Sequence, residues 1–353
     1  MRKLNRYIGS TVTGSIAAAL LVFLSLDSIS AIIDQLDELK GNYTFLEALI
    51  YVGYTLPSRI YEQIPLSALV GCLFGLGMLA SSSELVIMRA AGVSVLSITW
   101  AVMKPAILFV VLGLLLGEYV SPVTDQIAES HRALAQGDQE AMQSRRGLWN
   151  REGNEFMHFN VVLPNGVLYG VTRYRFDDEG KLLSSSFSAR ATYQRENQWL
   201  EEQGVTTEFT SQGARKGEFA TRQWQTKISP ALLNVLVLEP EALSINSLYS
   251  YANYLAQQNL DNDEYLLAFW QKVLQPFATM SLVLIAISFI FGPLRQVTMG
   301  FRIFSGIVFG VIFDTCQNLL GPSSLVFGFS PLLAVSIPIV MCAIFGIFLL
   351  SKN

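Results

Sequence analysis

The chain has 353 residues, 51% of them hydrophobic and only 15% charged, with a mean hydropathy of +0.40. Soluble domains carry about a quarter charged residues, so an ordinary soluble protein is excluded. The net charge of −4 includes no basic excess, which argues against nucleic acid as a partner.

Of 24 basic and 28 acidic residues, 13 and 19 fall within residues 122–265, leaving both ends of the chain apolar. Six apolar stretches reach the roughly 20 residues that a spanning helix needs. Thr11–Ile33, Pro57–Ala80 and Val93–Tyr119 precede the polar middle; Ala268–Phe291, Phe301–Leu320 and Phe329–Leu350 follow it. The first run is too long for a signal peptide, and more spans come after it. Arg2, Lys3, Arg6, Arg89, Arg295, Arg302 and Lys352 gather on one side of these spans. On the other side, Asp34–Asn42 offers only Lys40, and Gly321–Gly328 carries no charge. Basic connections stay in the cytoplasm, so both termini are expected there and the polar insertion outside. The pairs Gly71/Gly75, Gly113/Gly117 and Gly306/Gly310 permit close helix approach, within the chain or against a partner subunit. Pro105, Pro276 and Pro338 predict kinks.

From Gly147 to Ser229 the pattern changes to short alternating segments. Leu148–Arg151, Glu155–Val162, Leu168–Asp177, Leu182–Arg195, Trp199–Thr210 and Phe219–Ser229 read as strands, separated by turn signals such as Pro164-Asn165-Gly166. Alternation at Phe187, Ala189, Ala191 and Tyr193 points one face inward. A sandwich, a jelly roll and an open barrel all accommodate such a set. Val123–Arg146 reads as a helical continuation of the third span, and Ser244–Leu267 as a helical return. The predicted organisation is spans one to three in 1–122, a helical extension in 123–146, a β-domain in 147–240, a return segment in 241–267, and spans four to six in 268–353.

Cys72, Cys316 and Cys342 all lie in apolar stretches, which excludes a disulfide framework. No G-x-x-x-x-G-K-[ST], H-E-x-x-H, C-x-x-C or G-x-S-x-G occurs. The chain is therefore expected to be no enzyme, with no ATP site, metal or cofactor of its own. His131 and His158 stand alone and read as structural or solvated. Asp27, Lys104, Glu118 and Asp314 are ionisable groups in or at the ends of spans and are functional suspects on that ground. They are too few at matching depth to form a proton relay.

The stretch from Leu76 to Gly92, LGMLASSSELVIMRAAG, resembles the cytoplasmic coupling segment of the LptF/LptG permease family. Ser288-Phe289-Ile290-Phe291-Gly292-Pro293-Leu294-Arg295, Arg6-Tyr7-Ile8, Asp34-Gln35-Leu36 and Gly147-Leu148-Trp149 also resemble that family, in order along the whole chain. Gly117-Glu118-Tyr119-Val120 and Leu238-Glu239-Pro240-Glu241-Ala242-Leu243-Ser244 favour its LptG branch. The resemblance implies a membrane α-helical fold with six transmembrane helices, 3+3, and an inserted all-β, jelly-roll-like periplasmic domain. It also implies a permease subunit that extracts lipopolysaccharide from the outer leaflet of a bacterial inner membrane. The implied partners are an LptF-like second permease subunit, an LptB-like ATPase dimer and an LptC-like single-span protein.

On that resemblance, a helix near 82–91 couples the chain to the ATPase through Glu84, Leu85, Met88 and Arg89. A charged residue followed by Leu85-Val86-Ile87-Met88 fits an amphipathic helix docked in a groove, and equally a plain interfacial helix. Basic residues after the first span meet lipid phosphates in the family. Here that region holds only Lys40, so Lys40, Arg59 and Arg132 are expected to share head-group contact, or the lipid is bound less through phosphates. Phe156, Tyr169, Phe187, Tyr193 and Phe209 are candidates for an apolar lipid path in the β-domain; in the alternative they fill a closed core and the domain docks neighbours. Three rival readings fit less well. Lipoprotein-release permeases have four spans. A receptor or scaffold with an outer sensing domain wants a cytoplasmic output domain. A membrane enzyme wants a catalytic constellation.

Overall fold

The computed structural model describes residues 2–37, 39, 43–135, 148–163, 166–194, 198–210, 213–230, 233, 239–257, 261–291 and 298–351. Its helices are α1 (Arg2–Leu36), α2 (Phe45–Ser81), α3 (Glu84–Ala90), α4 (Val95–Leu115), α5 (Ser121–Ala135), α6 (Ile245–Gln257), α7 (Asp263–Phe291), α8 (Met299–Phe327) and α9 (Pro331–Ser351). A π-turn, Leu116–Val120, joins α4 to α5. Among the described residues six helices are long and apolar enough to cross a membrane, three before and three after the sheet. They run past the predicted spans at most ends because polar flanks continue the helix beyond the apolar core. The three prolines expected to kink lie inside α4, α7 and α9.

The chain divides into two compact units: Met1–Ser30, Leu56–Ser121 and Ser244–Asn353 form one; Ala31–Thr55 and Pro122–Leu243 form the other. In the helical unit, Ile8, Val12 and Ile16 of α1 share a core with Leu69, Leu73 and Leu76 of α2, Ile98 and Val102 of α4, and Leu282, Ala286 and Ile290 of α7. All three glycine pairs pack internally. A Cβ on Gly71 would lie 2.5 Å from the Cα of Ile16, and one on Gly75 2.9 Å from the Oγ of Ser15. Gly113 and Gly117 receive Ile64 and Tyr61, while Gly306 and Gly310 receive Leu73 and Leu66.

The other unit holds strands β1 (Leu148–Glu152), β2 (Glu155–Leu163), β3 (Val167–Phe176), β4 (Leu182–Tyr193), β5 (Gln198–Thr210) and β6 (Gly213–Gln225). They form one antiparallel sheet in consecutive order, so the connections are those of a meander. The sheet is rolled. Five strand spacings of about 4.8 Å would separate flat edges by about 24 Å. Yet Glu152, at the end of β1, accepts hydrogen bonds from the Thr226 hydroxyl and the Lys227 amide just beyond β6. Trp224 of β6 also lies 6.3 Å from Phe159 of β2, ring to ring. The roll is jelly-roll-like in its curl, with up-and-down connections.

The pairing registers pass over one residue per strand in a single row: Asn160, Gly170, Ala189, Gln203 and Ala220. Gly170 and Gln203 have positive φ, 61° and 53°. At this crease the buried face changes parity, from Ser186 and Ser188 to Ala191 on β4 and from Glu201 to Gly204 on β5. The core face carries Met157, Phe159, Leu168, Val171, Trp199 and Trp224, covered by Ile228 and Leu233. The Trp199 indole donates to the Ile228 carbonyl at 2.9 Å.

Candidate functional site

Helix α3 is built between two sharp turns. Ser83, at φ 62°, lies in the left-handed region and turns the chain from α2 into α3 within two residues. At the far end Gly92, at φ 86°, closes a Schellman-type cap in which the Val93 amide donates to the Met88 carbonyl at 3.1 Å. Ser94 then caps α4, its Oγ accepting from the Ser97 amide at 3.2 Å. The seven-residue α3 is thereby fixed in rotation. Leu85 and Met88 are buried in the core of the helical unit. Val86 and Ile87 are 51% and 65% exposed. Leu85 and Met88 thus face the spans, while Val86 and Ile87 form the outward apolar face of α3. Four consecutive apolar residues leave the facing of a two-turn helix undetermined by sequence; the packing of Leu85 and Met88 sets it.

Glu84 begins α3. Its carboxylate accepts from the Ser82 hydroxyl at 3.0 Å, and the Tyr7 phenol of α1 is a near neighbour. The Arg89 guanidinium stands 5.9 Å from the Phe291 ring centroid, at the end of α7. Arg302 of α8 is buried and donates to the Gly77 carbonyl of α2 at 3.1 Å. Among the described residues α3 is thus tied to α1 and α7 and sits directly beyond a stretch of α2 bonded to α8.

Of the three basic residues nominated for head-group contact, Lys40 lies outside the described residues. Arg59 donates to Asp27 of α1 at 2.8 Å, both side chains less than a third exposed. In the other unit, Arg132 bonds Glu129 at 2.8 Å and lies 4.9 Å from the centroid of the Tyr51 ring. Tyr51 donates to Glu129 at 2.7 Å, and His131 faces Glu47 at 3.1 Å. Residues 6–352 match the family described as "Lipopolysaccharide export system permease LptF/LptG". The chain belongs to that family.

LptG of Escherichia coli strain K12 is 35% identical over 353 residues, covering 99% of this chain and 98% of the relative. LptG of Haemophilus influenzae is 34% identical over 352 residues, with the same shares of the two chains covered. The stretches that carried the resemblance fall on distinct structural features. Leu76–Gly92 is the end of α2, the Ser83 turn and α3; Gly117–Val120 lies within the π-turn; Ser288–Phe291 ends α7, and 292–295 lie outside the described residues.

The five aromatic residues expected to line a lipid path do not share one face of the sheet. Phe156, Tyr169, Phe187 and Phe209 lie on the sheet face opposite the core, alternating with the buried Met157, Leu168 and Ser188 and, beyond the crease, lying out of phase with Gly204. Only Tyr193 of the five meets the core, against Trp199 at 5.3 Å. The core face also holds charge. Glu201, fully buried, accepts from Arg222 at 2.8 Å, from Arg173 at 3.1 Å and from Ser188 at 3.1 Å. Arg173 in turn bonds Glu155 at 2.9 Å. Burial pulls the Arg173 guanidinium below its ordinary pKa, opposed by Glu201 and Glu155. Sequence reasoning missed this network. Sequence offered little signal for it, since Glu201 stands next to Glu202 and only the fold shows that Glu201 alone turns inward.

Proposed function

We propose that the chain is the permease subunit of an ATP-driven lipopolysaccharide exporter, drawing the lipid from the outer leaflet of a bacterial inner membrane and passing it to periplasmic carriers. The carrying observation is the end-to-end match to lipopolysaccharide export permeases, helices and inserted sheet included. The basic short connections support cytoplasmic termini and a periplasmic β-domain. The partners in this reading are an LptF-like permease, an LptB-like ATPase dimer and an LptC-like single-span protein.

Energy enters at α3. Its outer face joins the Glu84 carboxylate to Val86 and Ile87, an acidic and apolar combination suited to a groove on the ATPase. Leu85 and Met88 are embedded among the spans on the inner side. Close-packed interiors transmit strain, so a displaced α3 carries α1, α2 and α4 with it. At the outer side Arg59, Arg132 and Lys40 serve the lipid phosphates by exchange: an arriving phosphate competes with Asp27 for Arg59 and with Glu129 for Arg132. The β-domain acts as a docking body, because aromatic packing and the Glu201 network fill its core face. Purification from native inner membrane tests the reading. Mass spectrometry is expected to find lipopolysaccharide and an ATPase with the chain; finding neither would contradict it.

A further inference from the structure

The chain leaves the helical unit after Ser121 and re-enters it at Ser244. Just before the exit, the Glu118 carboxylate accepts from the amides of Ile245 at 2.7 Å and Asn246 at 3.4 Å, the first residues of α6 after the return. The remaining first-turn groups are satisfied locally. The Ser247 amide donates to the Ser244 Oγ at 3.1 Å, and the Leu248 amide to the Ser244 carbonyl at 2.9 Å. Glu118 thus supplies only what Ser244 leaves open, and its charge suits the positive end of α6.

The π-turn places it there. A π-turn holds one residue more than an α-helical turn and rotates everything beyond it. Gly117 within that turn lies under the Tyr61 ring of α2, where a Cβ would come within 3.0 Å of two ring carbons. The Tyr61 carbonyl accepts from the Gln275 side chain of α7 at 3.2 Å, and the Lys272 ammonium of α7 stands 5.6 Å from the Tyr61 ring centroid. Three spans therefore meet beside Glu118, next to two of the four chain crossings between the units, the exit after Ser121 and the return at Ser244.

We propose that Glu118 is a positioning residue that clasps the outgoing and returning chain at the neck of the inserted domain, so that a shift among α2, α4 and α7 acts on both connections together. The proposal rests on the export reading for its transport readout only. The test uses the full chain with its partner permease and ATPase in lipid nanodiscs, as wild type and as Glu118→Ala, Glu118→Gln and Ser244→Ala. Ser244→Ala removes a cap from the same helix without touching α4 or the π-turn, so it reports a purely structural role. In wild type and Ser244→Ala, hydrogen exchange at the Ile245 and Asn246 amides is expected to change with the nucleotide state of the ATPase. In Glu118→Ala these amides exchange fast in every state. Lipid released per ATP is expected to fall about tenfold in Glu118→Ala, the shift that loss of a hydrogen bond to a charged group brings. Glu118→Gln should fall between, and Ser244→Ala should match wild type. Exchange insensitive to nucleotide in wild type, or equal losses in Glu118→Ala and Ser244→Ala, would overturn the clasp. A wild-type complex that hydrolyses ATP without releasing lipid would instead overturn the export reading, and the exchange readout would still decide the clasp.

Discussion

Arg302, near the start of α8, donates to the carbonyl of Gly77 near the end of α2, joining two spans separated by 225 residues of sequence. The side chain is almost wholly buried, and the bonded carbonyl lies one turn before α2 hands over to α3. Arg302→Ala should cost about 1.5–3 kcal/mol, the value of a hydrogen bond to a charged group. A lower melting temperature together with weaker ATPase association is expected, with Arg302→Lys in between. Unchanged association in a destabilised protein would confine Arg302 to folding.

The two faces of α3 should respond differently. Val86→Asp and Ile87→Asp, both at exposed positions, should leave the melting temperature near wild type and weaken ATPase pull-down. Leu85→Ala should destabilise by about 2–5 kcal/mol, because it opens a cavity in the shared core. Glu84→Ala should weaken association by about 1.5–3 kcal/mol. Full association and coupling in Ile87→Asp and Glu84→Ala would remove α3 from the energy path.

For Arg59 and Asp27, removing one partner should be worse than removing both. Arg59→Ala leaves a carboxylate unpaired in an apolar span, a loss of about 3 kcal/mol, while Asp27→Asn with Arg59→Gln should recover most of it. A double-mutant cycle on melting temperatures measures this. Charge reversal at Arg132 should lower lipid-stimulated ATP hydrolysis more than reversal at Arg2 or Lys3. Equal effects would point to general membrane electrostatics.

The sheet gives a prediction for lipid passage. A photo-crosslinking residue at Thr206, which bonds Arg222 on the core face, should yield no ATP-dependent lipopolysaccharide adduct. One at Phe187, on the opposite face, should capture protein neighbours. Abundant lipid adducts from Thr206 would restore the conduit.

Much of this fold was legible in the chain. Runs of apolar residues located all six long helices, and turn signals located all six strands, within a few residues at most ends. β6 began earlier than expected because Gly213–Glu218 is polar and exposed, without alternation to betray it. The facing of β4 was misread for a physical reason. Phe187, Ala189, Ala191 and Tyr193 look like one inward row, yet the parity changes at Ala189. The residues that bend the sheet there, Gly170 and Gln203, lie on neighbouring strands and are invisible from β4 alone. Inward serines instead of Phe187 make sense only once Glu201 needs Ser188 as a donor. The Asp27–Arg59 pair was foreshadowed only by Asp27, the one charge in the first apolar span; that it pairs with Arg59 required the helix packing. The clasp at Glu118 depends on a π-turn, which side-chain periodicity does not announce.

The most direct measurement is ATP-driven lipid release. Proteoliposomes carrying the chain with its partner permease and ATPase, loaded with lipopolysaccharide, are mixed with a soluble periplasmic acceptor. Transfer to the acceptor should require ATP, should vanish without this chain, and should fall in Glu84→Ala. ATP hydrolysis with no transfer, or equal transfer when this chain is omitted, would contradict its assignment as an export permease.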